Sequence, residues 1–501
     1  MPEPLPSASE PVSFDATFRR GLIAAALLSV LLRLRFVFAP INTDEGGFLA
    51  IARAWRHGKV LYTDVWVDRP QGLLVVYRLW DLFSGGNTAL LRVIALVFGA
   101  AGVIAVAQLV RVLHTPAAGL VAGVLAAVLS SAPALEGFTA NGELLGSAGS
   151  AVALGLGCAV LVGRLRSRWM VGAGIAAGVA LSMKQSGVDG LAALVAWLLL
   201  AIATDCIPRR VAVARLGQLV AGTLAVVALL VVDAALRGWS AWWYAVNGYR
   251  TQQRSIFVGA DWKRFDLTAH EALPLLVPVL GVAIVALGIE LHRTRALKVS
   301  PVVAVLPIWL LTATASFLAG GQFFRHYWVI LTFPLAALCG LAIGSVRLRW
   351  VRAAMVMVAL VPALVSWWSI VSLPRAEIPA ATGGNSRAVF AEHIGNWFRS
   401  HAAGGDSLYA LCARADLYAD AGTDPPYPYL WFDSVQKVPG AKAKLQQLLA
   451  SPGRPTYVVE MQSPKACDSS GVVGAALDRY YDQIGTIDGI PILKVRAEPG
   501  S

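Results

Sequence analysis

Long apolar runs recur along most of this chain, and they constrain its fold more than any other feature. A hydrocarbon layer about 30 Å thick is crossed by roughly 20 helical residues at about 1.5 Å each. Eleven runs of that kind are read, at 21–40, 88–110, 116–135, 144–163, 169–187, 188–204, 216–236, 273–291, 300–319, 327–346 and 353–373. Composition agrees, with 57% of the 501 residues hydrophobic and 14% charged, where a soluble domain carries about 25% charged residues. A disordered chain, a coiled coil and an ordinary soluble enzyme are excluded. The expectation is a polytopic α-helical membrane protein.

A net charge of +12 raises the question of nucleic acid, and position answers it. The clusters Arg19/Arg20, Arg111, Arg164/Arg166/Arg168, Arg209/Arg210/Arg215, His292/Arg293/Arg295/Lys298 and Arg347/Arg349/Arg352 fall at every second connection. Cytoplasmic connections carry such an excess, so the charge reports topology and no nucleic-acid partner is expected. The N-terminus is then cytoplasmic, and everything after residue 374 is extracytoplasmic. The first run is too long for a signal peptide, is interrupted by Arg33 and Arg35, and lacks a small-x-small cleavage site, so it is expected to be retained. The organisation predicted is a cytoplasmic leader over 1–20, a membrane domain over 21–373 and a soluble α/β domain over 374–501. Residues 1–15 of the leader, rich in Pro, Ser and Glu, read as disordered. Two long connections, 41–87 and 237–272, lie outside.

Those outer connections contain short helical faces. Phe48, Ile51, Ala52 and Trp55 stand at i, i+3, i+4, i+7, and Leu73, Val76, Tyr77 and Trp80 repeat the spacing. Trp239, Trp242, Trp243 and Val246 do so again. Such helices suit the membrane interface, as a platform roofing a cavity or as simple aromatic anchors.

Polar groups stand where a bilayer makes them expensive. Asn42-Thr43-Asp44-Glu45 directly follows the first run. Adjacent carboxylates at that depth pair, bind a metal, titrate, or cap a helix, here one starting near Gly46 with Thr43 or Asp44 as its cap. Functionally, one of them would be a general base. Further along, Arg69 precedes Pro70 and is therefore extended. Its guanidinium suits a phosphate, and a salt bridge to Asp68 is the plain alternative. Glu136-Gly-Phe-Thr-Ala-Asn141-Gly-Glu143 lies between the third and fourth runs, Lys184-Gln185 between the fifth and sixth, and Gln322, Arg325, His326 and Tyr327 after the ninth. Arg250 and Arg254 follow the Trp-rich segment. Cations gathered outside, against the topological trend, point to an anionic ligand such as a lipid-linked phosphate.

In this order the motifs resemble the GT-C superfamily of membrane glycosyltransferases, and within it the branch of protein O-mannosyltransferases and lipid A aminoarabinose transferases. The resemblance covers 21–373 and is most specific from Thr43-Asp44-Glu45 to Asp68-Arg69-Pro70. It implies a GT-C-type membrane domain and inverting transfer of one sugar from a polyprenyl-phosphate carrier to an envelope glycan, lipid or protein on the outer face. Asp44 would deprotonate the acceptor, with Glu45 in support and Glu143 orienting acceptor or metal. Arg69, Lys184, Arg250, Arg325 and His326 would hold the donor phosphate, and Asn141, Gln185 and Tyr327 the acceptor or sugar. Many members have Lys before Pro-Pro where this chain has Arg69-Pro70-Gln71, which leaves the donor open. Some relatives use a divalent ion, so Mg, Mn or Ca on Asp44 and Glu143, with Glu45 and His326, is a further expectation. The sequence itself requires no cofactor: there is no Walker loop, and Gly46-Gly47 and Gly85-Gly86 are not dinucleotide fingerprints.

After Pro374 the character changes. Val389, Phe390, His393, Ile394 and Trp397 predict an amphipathic helix over 386–403. Strands are predicted at 407–412, 455–461 and 490–495, with helices at 441–450 and 473–481, giving a partly parallel sheet. Cys412 and Cys467 are the two cysteines placed outside, where they would pair. Five cysteines without a CxxC make no structural zinc site. The tail reads as an accessory or acceptor-binding module. Usage rich in Ala, Val, Arg and Gly points to a high-GC bacterium and its plasma membrane, which favours mannan or arabinan synthesis, while mannose, arabinose and aminoarabinose-like donors all fit the sequence. Two other classes compete: a flippase or transporter of lipid-linked sugar, which the charge-free span middles and the absence of a repeat disfavour, and a non-catalytic envelope-assembly protein, which leaves the first loop's charges unexplained.

Overall fold

A computed structural model describes residues 16–253, 261–294, 301–383 and 386–497. The stretch 1–15, Arg254, Arg295 and Lys298 lie outside the described residues. Each predicted apolar run coincides with a helix. Eight helices among the described residues are long and apolar enough to cross a membrane: Thr88–Leu113, Gly142–Leu161, Gln185–Ala203, Arg209–Arg237, Trp262–His292, Pro301–Gly320, Arg325–Ser345 and Arg349–Val371. Pro116–Leu129 and Trp169–Met183 are apolar but shorter, and Ala16–Leu34 carries Arg19, Arg20 and Arg33. The protein is a multi-pass membrane protein. Helices overrun the predicted ends where polar residues prolong them. The one opening at Trp262 starts well inside the connection read as 237–272, because Lys263, Arg264 and Asp266 extend the backbone ladder beyond the apolar run without breaking it.

The chain divides into two compact units, one of Met1–Phe36, Arg92–Val231 and Arg254–Ser372, the other of Val37–Leu91, Val232–Gln253 and Leu373–Ser501. In the first, the membrane unit, small residues let helices approach: a Cβ on Gly340 would lie 2.4 Å from that of Ala122. Arg33, 1% exposed, survives in apolar surroundings because its guanidinium is satisfied all round. It donates to Ser29 Oγ and Ser131 Oγ (2.5 Å each), Ser130 O (2.6 Å) and Gly137 O (2.8 Å). Asp189 is likewise buried and accepts from Ser150 Oγ and Trp309 Nε1 at 2.7 Å.

In the second unit the first connection forms the helices Thr43–Arg56 and Gln71–Ser84. The former does not lie as a one-sided surface helix. Every residue from Glu45 to Trp55 is buried, because Gly46, Gly47, Ala50, Ala52 and Ala54 let neighbours pack on its second face. Its far end is tied by Asp81, which accepts from Arg53 Nε (3.3 Å) and Arg56 Nε (2.7 Å). The Trp-rich segment runs Trp239–Trp243 into a π-helical turn, Tyr244–Gly248, and leaves Trp239 and Trp243 about half exposed.

The tail forms the predicted helices Arg387–His401, Ala441–Ala450 and Val472–Tyr480. Among the described residues it holds a four-stranded sheet, β1 (Leu408–Ala410), β2 (Tyr457–Val459), β3 (Tyr481–Ile487) and β4 (Ile490–Val495), in the order β1-β2-β4-β3. β1 and β2 are parallel, while β4 is antiparallel to both its neighbours. β3 is the strand the apolar pattern missed: it is a largely exposed edge without clean alternation. The signal that finds it is Asp488-Gly489, both at positive φ (50° and 77°), a two-residue hairpin turn. Cys412 and Cys467 are joined as a disulfide. The Pro/Tyr loop at 424–429 packs within its unit: Tyr427 is 1% exposed and donates to Ala441 O at 2.6 Å, and Trp66 N–H donates to Pro428 O at 3.1 Å.

Candidate functional site

The expected site residues fall into two clusters, one in each unit, and each is described by itself.

In the second unit the cap of the Thr43–Arg56 helix is Asn42, not Thr43 or Asp44. Asn42 Oδ1 accepts from Glu45 N–H (2.8 Å), while Glu45 Oε2 accepts from Asn42 N–H (3.3 Å). This capping box separates the acidic pair into two roles. Glu45, fully buried, secures the helix start. Asp44 is half-buried, and its Oδ1 accepts from Trp431 Nε1 at 2.9 Å. Gly46-Gly47 is a place of close approach, where a Cβ on Gly46 would lie 2.3 Å from Asp416 Cα.

Arg69 is 7% exposed and takes the ion pair that was its plain alternative, Nη1 to Asp68 Oδ1 at 2.7 Å. The other oxygen of Asp68 pairs with Arg250, so one carboxylate holds two guanidinium groups and the trio keeps a positive charge. Tyr62, at φ 72°, donates to Arg69 O (2.8 Å) and fixes the extended approach to Pro70. Burial, with Asp233 and Asp68 adding to it, pushes the Tyr62 phenol well above its ordinary range, so it acts as a neutral donor.

In the membrane unit four segment ends converge. Glu143 sits in the first turn of Gly142–Leu161. Lys184, extended at φ −160°, ends Trp169–Met183 and precedes the short turn Gln185–Val188. His326 and Tyr327 lie in the 3-10 turn Arg325–Leu331. Lys184 Nζ pairs with Glu143 and stands 3.4 Å from the Tyr327 ring centroid. His326 bridges two carboxylates, Nδ1 lying 2.8 Å from Glu136 Oε2 and Nε2 3.7 Å from Glu143 Oε1. Asn141 is 2% exposed, and its carboxamide has no hydrogen-bond partner among the described residues. Arg325 is turned to Glu271, with which it makes a two-pronged pair. Gln185 is half-buried in the turn after Lys184.

Among the described residues no three His, Cys, Asp or Glu side chains are grouped as ligands for a divalent ion. Glu143, one of the two expected ligands, pairs with Lys184.

No family model matches the sequence, and no curated protein matches it significantly. Solved structures do match. ArnT from Cupriavidus metallidurans bound to undecaprenyl phosphate aligns at a TM-score of 0.65 with 15% identity, over 96% of this chain and 98% of that one. Its apo state gives 0.66 with 14% identity, over 95% and 98%. The oligosaccharyltransferase AglB from Archaeoglobus fulgidus, in complex with an inhibitory peptide and a dolichol-phosphate, gives 0.58 with 15% identity, over 93% and 73%. This chain has the GT-C fold.

Against that fold, three side chains stand out that sequence reasoning did not assign. Glu136, quoted only as the start of its segment, is the partner of His326. Glu271 is the partner of Arg325. Trp431 is the partner of Asp44, and only its place in an aromatic-rich tail segment could have drawn notice.

Proposed function

We propose that the protein is a glycosyltransferase that moves a single sugar from a polyprenyl-phosphate carrier to an acceptor on the extracytoplasmic face of a bacterial plasma membrane. The observation that carries this reading is the GT-C fold shared over 96% of the chain with a protein crystallised with undecaprenyl phosphate. Two features of this chain's own residues support it. A half-buried carboxylate, Asp44, stands on a capped helix start. Buried cations, Lys184 and Arg69, each stand paired with a carboxylate, Glu143 and Asp68.

Asp44 takes the proton of the acceptor hydroxyl while that oxygen attacks the anomeric carbon. The carbon–oxygen bond to the carrier phosphate breaks on the opposite side, the configuration inverts, and polyprenyl phosphate leaves with the bonding pair. Cations around the phosphate stabilise the charge that develops there, which is where such groups contribute most. Lys184, His326, Arg325, Arg69 and Arg250 are assigned to this task, and Asn141, Gln185 and Tyr327 to sugar or acceptor. A polyprenyl monophosphate is a competent leaving group, so the reaction needs no nucleotide site. The orientation, N-terminus cytoplasmic and tail extracytoplasmic, follows from the alternation of basic connections.

The test is an assay of purified protein in detergent. Radiolabelled decaprenyl-phosphate mannose and decaprenyl-phosphate arabinose are presented separately with envelope glycan acceptors, with and without EDTA. Turnover of one donor, lost in Asp44→Ala, supports the reading and names the sugar. Turnover undiminished in Asp44→Ala removes Asp44 as the base, and EDTA sensitivity supports a divalent ion at the site.

A further inference from the structure

The first turn of the Thr43–Arg56 helix is clamped on two sides by the C-terminal segment. On one side Thr43 Oγ1 donates to Asp416 Oδ1 at 3.5 Å, and Asp416 is itself paired with Arg414. The Asp416 backbone lies where a Cβ on Gly46 would be. On the other side stands Trp431. Its ring covers Gly47, whose Cβ would come within 2.6 Å of it, and lies 5.8 Å from the ring of Phe48. Its carbonyl accepts from Ser434 N–H (3.0 Å), Val435 N–H (3.1 Å) and Ser434 Oγ (2.7 Å), so the residue opens the helix Phe432–Lys437 from a held position.

From that position the indole N–H reaches Asp44 Oδ1 at 2.9 Å. An indole nitrogen donates and never accepts. A bond of this kind therefore sets the rotation of the carboxylate plane and with it the direction of Oδ2. Glu45, by contrast, is bound to its own helix start.

We infer that Trp431 is a positioning residue for the transfer reaction: it fixes the Asp44 carboxylate in the orientation from which the acceptor proton is taken. The tail thus completes the acid-bearing turn and is more than an appended acceptor-binding module. The inference rests on Asp44 being the base. Its effect falls on turnover and not on donor binding, since the reacting group that its N–H holds is Asp44.

The experiment compares four full-length proteins in the detergent assay: wild type, Asp44→Asn, Trp431→Phe, and a protein carrying 3-benzothienylalanine at 431, which keeps the ring's shape and loses only the N–H. A hydrogen bond to a charged group is worth enough to change a rate by about tenfold. Trp431→Phe is expected to lower kcat about tenfold with KM for the donor within twofold. The benzothienyl protein is expected to fall equally, with an unchanged unfolding midpoint. Wild-type kcat in the benzothienyl protein would overturn the inference, because ring packing alone would then suffice. So would a raised KM at constant kcat, which would make Trp431 a substrate contact. An inactive Asp44→Asn beside a fully active Trp431→Phe removes only this inference, whereas an active Asp44→Asn removes the base reading beneath it.

Discussion

In the membrane unit Glu143 and Lys184, their side chains 4% and 8% exposed, meet as an ion pair with His326 and Glu136 close by. In the second unit Asp44 is half-buried and accepts a hydrogen bond from a neutral indole. The contrast follows from the surroundings. A lone charge among apolar helices costs several kcal/mol, so acids there come matched with bases. At a half-solvated helix start the dipole and a capping box already favour a carboxylate, and a neutral donor can orient it without cancelling its charge. One cluster pairs its acids with basic groups, while the other leaves its acid facing a neutral donor.

The largest expected effect probes the reactive charge. Asp44→Asn should lower turnover by about 10²–10⁴, the range of general-base catalysis, while donor binding by fluorescence titration stays the same. A variant within tenfold of wild type would move the chemistry elsewhere. Next, Lys184→Met should destabilise the membrane unit by about 3–5 kcal/mol, since it breaks a buried ion pair by removing one partner. Adding Glu143→Leu should restore most of the thermal midpoint without restoring activity. If the single variant were as stable as wild type, the two clusters would not differ as argued.

Reduction of Cys412–Cys467 bears on the second unit alone. The bridge spans a sequence separation of 55, worth about 4 kcal/mol on the chain-entropy account. Hydrogen exchange should rise across β1 and β2 on reduction, with the membrane helices unchanged. Gly46→Ala should cost about 1–3 kcal/mol or more, as overpacking against a backbone that cannot yield, read as a lower midpoint and lower activity.

The smallest effect concerns pH. Burial, with Asp416 and Glu392 nearby, raises the Asp420 carboxyl well above 3.8, against the opposing pull of Arg399 and Arg414. The folded state then holds a proton that the unfolded chain has released. Stability is present in full below 3.8 and falls as pH rises toward the raised value. Asp420→Asn should flatten that fall and raise the midpoint at pH 7. An unchanged pH profile would show the site to be solvated.

The fold was legible to a large degree. Hydropathy located a helix at every predicted run, and short buried apolar runs marked three of the four strands. β3 escaped because an exposed edge carries no buried apolar run, although Asp488-Gly489 marked its turn. The helix Thr43–Arg56 was found by its spacing and misjudged in its surroundings. Its apolar face was visible, but the small residues that bury the other face carry no hydropathy signal. The site was legible in its parts, as acids and cations at segment ends, and not in its pairings.

By itself the sequence determined that this chain crosses a membrane, where its helices run and which segment ends carry charge. Transfer free energy adds up over about 20 neighbouring residues and needs no knowledge of the rest of the chain. Only the tertiary structure decided which groups meet. Lys184 and Glu143 are 41 residues apart, His326 and Glu136 190, and Trp431 and Asp44 387. A hydrogen bond acts over about 3 Å, so its partners are chosen by how the elements pack, and no local pattern records that choice.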